Sequence, residues 1–195
     1  MVELDETYVG GKPPFIPGVQ HKRGKGTSKL WVLIAAQRHG PVRAVPIDSE
    51  KVETMQPIID QHICKSAHLM SDKHRSYMKI GNQFAQHSHV IHSKREYSRG
   101  DVHCNTAESF SSMLERARIG VFHYMSQKHI NRYLSEMEFR WEHRVAEKTT
   151  KKSGKQKTVM KSIPIIDMIV ILIMRFSGFF LRRTRSWGIV DVAFI

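Results

Sequence analysis

Cysteine is scarce in this chain. Cys64 and Cys104 are the two present among 195 residues, and they form no CxxC pair. That excludes a disulfide framework and a four-cysteine zinc module, and it suits a reducing cytoplasm. Long hydrophobic runs are missing as well. The uninterrupted apolar run Met168–Met174 is seven residues long, well short of the roughly 20 that a membrane helix needs. No basic stretch followed by an apolar run opens the chain, so no signal peptide is expected. Acidic residues are few, 18 Asp plus Glu against 31 Lys plus Arg, which leaves a formal charge of +13. Such an imbalance points to a polyanionic partner, nucleic acid ahead of an anionic membrane surface. The hydrophobic fraction of 41% argues against wholesale disorder.

What is present begins with Val2-Glu3-Leu4-Asp5-Glu6-Thr7-Tyr8-Val9, an alternating segment that reads as a half-buried strand ending at Gly10-Gly11. Residues 12–29 read as a flexible basic loop. Leu30–Ala36 and Val42–Ile47 read as two further strands around the His39-Gly40-Pro41 turn, giving an antiparallel meander. A helix is expected over about 50–63, capped by Asp48 or Ser49. A short strand over 67–72, a helix around 74–80 and a strand near 86–92 follow, then helices over about 105–118 and 126–143. This succession is the order of a ribonuclease H-like α/β domain, a mixed sheet flanked by helices. We read residues 1–145 as that domain, 146–162 as a solvated basic linker, and 163–195 as an apolar and basic tail whose membrane reading is the lesser one. Residues 146–195 carry 10 basic and 3 acidic residues, so about half of the excess charge lies outside the first 145.

Three carboxylates stand out. A charged Asp5 inside a strand is costly to bury unless something pairs with it. In the expected order Asp72 ends the strand beside it and Glu108 lies on the later long helix. Crowded acids repel and drive one another's pKa upward. A divalent cation relieves that cost, and Mg²⁺ or Mn²⁺ prefers hard oxygen ligands. Two such ions suit phosphodiester chemistry. Each acid also has a plainer reading: Asp5 as a solvent-facing strand residue, Asp72 as a helix cap, Glu108 as an exposed helix acid. Asn105, one helical turn before Glu108, is either a further ligand or the helix N-cap.

The segment Val2–Lys12 resembles the opening of the DDE transposase domain of bacterial ISXO-like insertion sequences. Ser71-Asp72-Lys73-His74-Arg75-Ser76-Tyr77 and His103-Cys104-Asn105-Thr106-Ala107-Glu108-Ser109-Phe110 resemble its later motifs, with Gly120–His123 and His129–Arg140 behind them. The resemblance covers about residues 2–144. It implies a ribonuclease H-like fold and a catalytic set of Asp5, Asp72 and Glu108, with Asn105 beside them. It implies Mg²⁺ or Mn²⁺ in a two-metal site, with no small-molecule cofactor. It also implies cleavage and strand transfer of DNA at terminal inverted repeats into target DNA, by a homo-oligomer in a cytoplasmic, nucleoid-associated setting. Lys12, Lys22, Arg23, Lys25, Lys73, Arg75, Lys94, Arg95 and Arg116 are the candidate DNA contacts.

Two departures accompany the match. DDE enzymes often carry a basic residue seven positions after the glutamate, where this chain has Glu115; Arg116 or Arg118 is the candidate substitute. The zinc-binding and helix-turn-helix region that precedes the family's catalytic domain has no counterpart, so a truncated copy is expected. The competing readings are another ribonuclease H-like nuclease and a non-enzymatic DNA-binding remnant. His87 and His89 can share one strand face while His92 faces away, which favours a solvated or DNA-facing strand over a zinc site.

Overall fold

Period-two alternation along the first strand, β1 (Val2–Val9), sends neighbouring side chains to opposite faces of a sheet, so each face must find its own cover. The computed structural model describes residues 1–11, 16–20, 29–91, 98–150 and 156–176. Beside β1 lie β2 (Leu30–Gln37), β3 (Val42–Ile47), β4 (His68–Asp72) and β5 (Gln86–Val90), in the order β3-β2-β1-β4-β5. β2 runs antiparallel to both of its neighbours, β1 and β3, whereas β4 pairs parallel with β1 and β5 parallel with β4. The parallel crossovers are made by α1 (Val52–His62) and α2 (Arg75–Gly81).

One face of the sheet carries the larger apolar cluster. Val2 and Leu4 meet Leu33, Ala35, Met55, Ile59, Ile63, Leu69, Tyr77 and Ile80 there. The α1 residues Met55, Ile59 and Ile63 recur at intervals of four, which explains why this helix turns that side inward. α3 (Asn105–Ala117) packs against β1 and β2, and it buries Ala107, Phe110 and Leu114. Asp48 and Ser49 do not cap α1: Lys51 stands at the N-cap, and Ser49 Oγ instead bonds Thr54 Oγ1 at 2.9 Å. At the sheet margin the carboxylate of Glu138, on α4 (Ile130–Glu142), accepts the backbone N–H of Ala44 at 2.6 Å. A donor on edge strand β3 is thereby satisfied rather than left open to another chain.

The described residues form two compact units, divided after Glu138. In the second, β6 (Arg144–Thr150) and β7 (Gln156–Ser162) pair as an antiparallel ribbon, followed by α5 (Ile165–Phe176). The sequence reading expects a linker over 146–162. Threonine and valine at 149, 150, 158 and 159 favour extended backbone and account for the strands. No helix among the described residues is long and apolar enough to cross a membrane.

Candidate active site

Glu3 lies on the face of β1 turned away from the large apolar cluster, and its side chain is fully buried. Its Oε2 accepts the backbone N–H groups of Thr106 and Ala107 at 2.6 and 3.1 Å, and its Oε1 accepts the Thr106 hydroxyl at 3.0 Å. These are among the donors that the first turn of α3 leaves without intrahelical partners. Cys104 occupies the N-cap position and supplies no side-chain bond, so Asn105 is the first helical residue rather than the cap. A carboxylate from a distant strand thus does the capping, where it also meets the positive end of the helix dipole. Arg38 balances the charge: its Nε donates to Glu3 Oε1 at 2.6 Å, and its Nη2 donates to the carbonyl of His103 at 3.0 Å. His103 Nδ1 lies 3.1 Å from Arg38 Nη2, 3.3 Å from Glu3 Oε1 and 3.4 Å from the Asn105 backbone nitrogen, so the ring joins the same polar cluster.

Two residues along β1, Asp5 points to the same face as Glu3. Val2 pairs with Leu69 and Glu3 with Met70, and the same offset sets Asp5 level with Asp72 at the end of β4. The Asp5 carboxyl is pushed up from 3.8 to about 7, first by burial, then by the negative charge of Glu6, with Glu108 and Asp72 adding to the rise. The Glu6 backbone N–H opposes it. The same acids act on buried Cys104, whose thiol is pushed up first by burial and then by Glu3, Asp5, Asp72 and Glu108. Asp5, Asp72 and Glu108, from three separate elements, therefore share one electrostatic neighbourhood. They do not stand at coordinating distance: among the described residues no three His, Cys, Asp or Glu side chains are arranged to hold a metal ion. Their donor chemistry nonetheless fits a hard divalent cation, because all three offer carboxylate oxygens and Asp5 is held against other negative charge. Asp72 Oδ1 also accepts the His74 N–H at 2.9 Å, a local turn that orients the carboxylate just before α2.

Asn105, Glu108, Ser109, Ser112 and Arg116 line an open cleft of about 380 Å³ along α3. Arg116 lies eleven positions beyond Asn105, close to three full turns, which returns it to that face. Glu115 is engaged elsewhere: Arg118 donates to it through Nε at 2.7 Å and Nη2 at 2.5 Å, and this pairing lowers its pKa. The acid at the position where DDE enzymes often carry a base is thus paired locally, and Arg116 is exposed on the cleft face.

A second polar group flanks Asp5. Fully buried Tyr77 donates its hydroxyl to Glu6 Oε2 at 2.6 Å. Burial raises the Glu6 pKa, the Tyr77 hydrogen bond opposes it, and Asp72 and Glu50 add to the rise. Sequence reasoning singled out neither Glu6 nor Tyr77. Glu3 was legible as lying on the face of Asp5, but no local spacing announces a cap supplied by a residue more than a hundred positions away. Of the expected DNA contacts, Lys73 and Arg75 are exposed around the start of α2, and Arg116 is exposed on α3. Lys12, Lys22, Arg23, Lys25, Lys94 and Arg95 lie outside the described residues, as does His92. His87 Nε2 lies 2.9 Å from the buried Ser71 hydroxyl, and its ring sits 6.2 Å from that of His89.

Removing Glu3's charge leaves Arg38 without its buried partner and the start of α3 without its full acceptor. Glu3→Gln is expected to lower unfolding free energy by about 3–5 kcal/mol, the usual result of breaking a buried pair. Urea unfolding checks this, and a change below about 0.5 kcal/mol, typical of an ordinary surface site, would refute it. For Asp5 the folded-state pKa is raised, so folding favours the protonated form. Its contribution to stability is complete below about 3.8 and is lost as pH rises through about 7. Without divalent ions, Asp5→Asn is therefore expected to lessen the stability loss between pH 4 and 7, as measured by unfolding curves across that range. Parallel curves for the two proteins would contradict it.

The chain matches the ISXO2-like transposase domain family over residues 1–142. It is 28% identical over 176 residues to an uncharacterized protein in transposable element ISH50 of Halobacterium salinarum, an alignment covering 83% of this chain and 57% of that relative. The chain thus spans little more than half the length of that protein. No solved structure matches it. With the family's span running from β1 through α4, over every acid of the candidate site, the chain belongs to the ISXO2-like transposase domain family.

Proposed function

We propose that residues 1–145 form a ribonuclease H-like DDE catalytic domain that cleaves DNA at the ends of an insertion sequence and joins the freed end to target DNA. The β3-β2-β1-β4-β5 order, with three antiparallel strands followed by two parallel ones, supports the fold reading. The observation that carries the chemistry is the register that sets Asp5 on β1 level with Asp72 at the end of β4, with Glu108 adding, after burial and Glu6, to the rise in the Asp5 pKa. Carboxylates from β1, β4 and α3 are the donor set that two divalent cations would use.

In this reading Asp5, Asp72 and Glu108 would hold Mg²⁺ or Mn²⁺, with Asn105 beside them on the cleft wall. The cations supply charge neutralisation at the phosphate and make the attacking oxygen more acidic. With its carboxyl raised to about 7, Asp5 would bind such a cation in competition with a proton. Glu3 and Arg38 fix α3 so that Glu108 faces β1. Arg116 offers a cation to the DNA backbone three turns along the same helix, and Lys73 and Arg75 do so at the start of α2. Water attacks the phosphorus, the bond from phosphorus to the 3′ oxygen breaks, and a free 3′-hydroxyl leaves. That hydroxyl then attacks a target phosphate in line, and the target's own 3′ oxygen departs with the proton. No covalent bond to the protein forms.

The test is a strand-transfer assay with Mn²⁺ and a pre-cleaved duplex carrying the inverted repeats that flank the gene. Asp72→Ala and Glu108→Ala are each expected to lower joining by about a thousandfold or more, matching the loss of several kcal/mol of charge stabilisation. Undiminished joining in either variant would refute the site. Strand release without joining would instead favour a ribonuclease H-like nuclease. Metal-independent binding with no cleavage would favour a DNA-binding remnant.

A further inference from the structure

The family match ends at residue 142, yet the strongest concentration of positive charge begins just beyond it. Residues 144–162 contain seven basic residues and one acid, Glu147, a net of +6 in 19 residues. Their described part is a regular ribbon. Seven cross-strand pairs run from Arg144 opposite Ser162 to Thr150 opposite Gln156. The connecting residues 151–155 lie outside the described residues and contribute Lys151, Lys152 and Lys155 to the sequence.

Both faces of this ribbon are exposed along most of its length. A two-stranded hairpin is marginal on its own and needs support, and here the support lies at its base. The Arg144 guanidinium stacks 3.2 Å from the centre of the Trp141 ring, while its Nε donates to the Trp141 carbonyl at 3.0 Å. The Ile163 N–H donates to the His143 carbonyl at 3.1 Å and closes the other strand. Beyond that clasp most side chains are lysine, threonine, glutamine and serine, with the single acid Glu147, and the few apolar ones are divided between the faces: Val145 and Val159 on one, Ala146 and Met160 on the other. This is not a core-forming pattern. Nor does it suit a membrane surface, which would call for apolar residues gathered on one side.

We infer that the β6–β7 ribbon is a duplex-DNA-binding arm that enters the major groove. A two-stranded ribbon is one of the elements that the B-form major groove, about 12 Å wide, admits. Seven residues at about 3.3 Å each extend about 23 Å, enough to follow the groove over much of one helical turn of about 34 Å. Lys148 and Lys157 flank the ribbon as phosphate contacts, and Lys161 joins them once it exchanges Glu147, now 2.7 Å away, for a phosphate. Thr158, Thr150 and Gln156 supply neutral donors and acceptors on the face shared with Lys148. The inference rests on the reading that this protein's substrate is DNA, but not on the metal site.

The experiment measures binding of the whole chain to a labelled 30-base-pair DNA duplex by fluorescence anisotropy, across salt and in EDTA, so that failure of the catalytic reading cannot affect the result. The triple variant Lys148→Gln, Lys157→Gln, Lys161→Gln is compared with Lys51→Gln, Lys65→Gln, Lys79→Gln, which removes the same charge from the other unit. The ribbon variant is expected to bind at least tenfold more weakly, with the slope of log affinity against log salt reduced by about 2–3, near 0.9 for each phosphate that no longer meets a lysine. The control variant is expected to keep the wild-type slope. Equal loss in both variants would overturn the proposal. So would equal binding to double-stranded RNA, whose deep, narrow major groove excludes such an arm, or to anionic vesicles. Failure of the wild-type chain to bind the duplex would also overturn it.

Discussion

The carboxylate of Glu3 lies buried between the central strand and the first turn of α3, bound at once to Arg38, the Thr106 hydroxyl and two helix N–H groups. A buried charge is tolerated only when it is paired and its lone pairs are used. Both conditions are met here because the helix end offers donors that nothing within the helix can satisfy. The consequence reaches past stability. Asp5 is two residues from Glu3 on the same strand face, and Glu108 is one turn beyond the capped end of α3. The bonds from Glu3 to Thr106 and Ala107 therefore fix the start of α3, the helix that carries Glu108, against the strand that carries Asp5. Structure and proposed chemistry share one anchor.

Around that anchor, like charges are brought together against their electrostatic preference. Asp5 responds by keeping its proton to near neutrality, under pressure from burial, Glu6, Glu108 and Asp72. Glu6 is moderated by Tyr77, and Glu115 is neutralised by Arg118. Two acids outside the three-carboxylate set are thus tied to neighbours. Among the described residues, those within it are not arranged to hold a metal ion as a group.

Much of this was legible from residues alone, for identifiable reasons. The alternation of Val2–Val9, the apolar run of Leu30–Ala36 and the four-residue spacing of Met55, Ile59 and Ile63 are local signals, and the elements they announce are present. Asp72 stands at a strand end next to β1, as the element order suggests. The cap on α3 was not legible, because it joins residues more than a hundred positions apart. Arg116 was legible as a candidate substitute for a base at position 115, but the cleft that runs from Asn105 to Arg116 was not, because its lining is set by how α3 packs. The ribbon at 144–162 was hidden by composition: lysines read as solvated linker, and the threonines and valines between them carry the weaker extended signal. Asp48 and Ser49 offered good capping chemistry, but the helix starts at Val52, beyond their reach.

The central claim is that acids from three distant segments converge on one divalent-cation site. Anomalous diffraction from crystals of the chain soaked in Mn²⁺ tests it most directly. The account predicts manganese peaks enclosed by the carboxylates of Asp5, Asp72 and Glu108, with Glu3 still bound to the start of α3. Manganese bound elsewhere, or at Asp5 and Asp72 with Glu108 turned away, would contradict it.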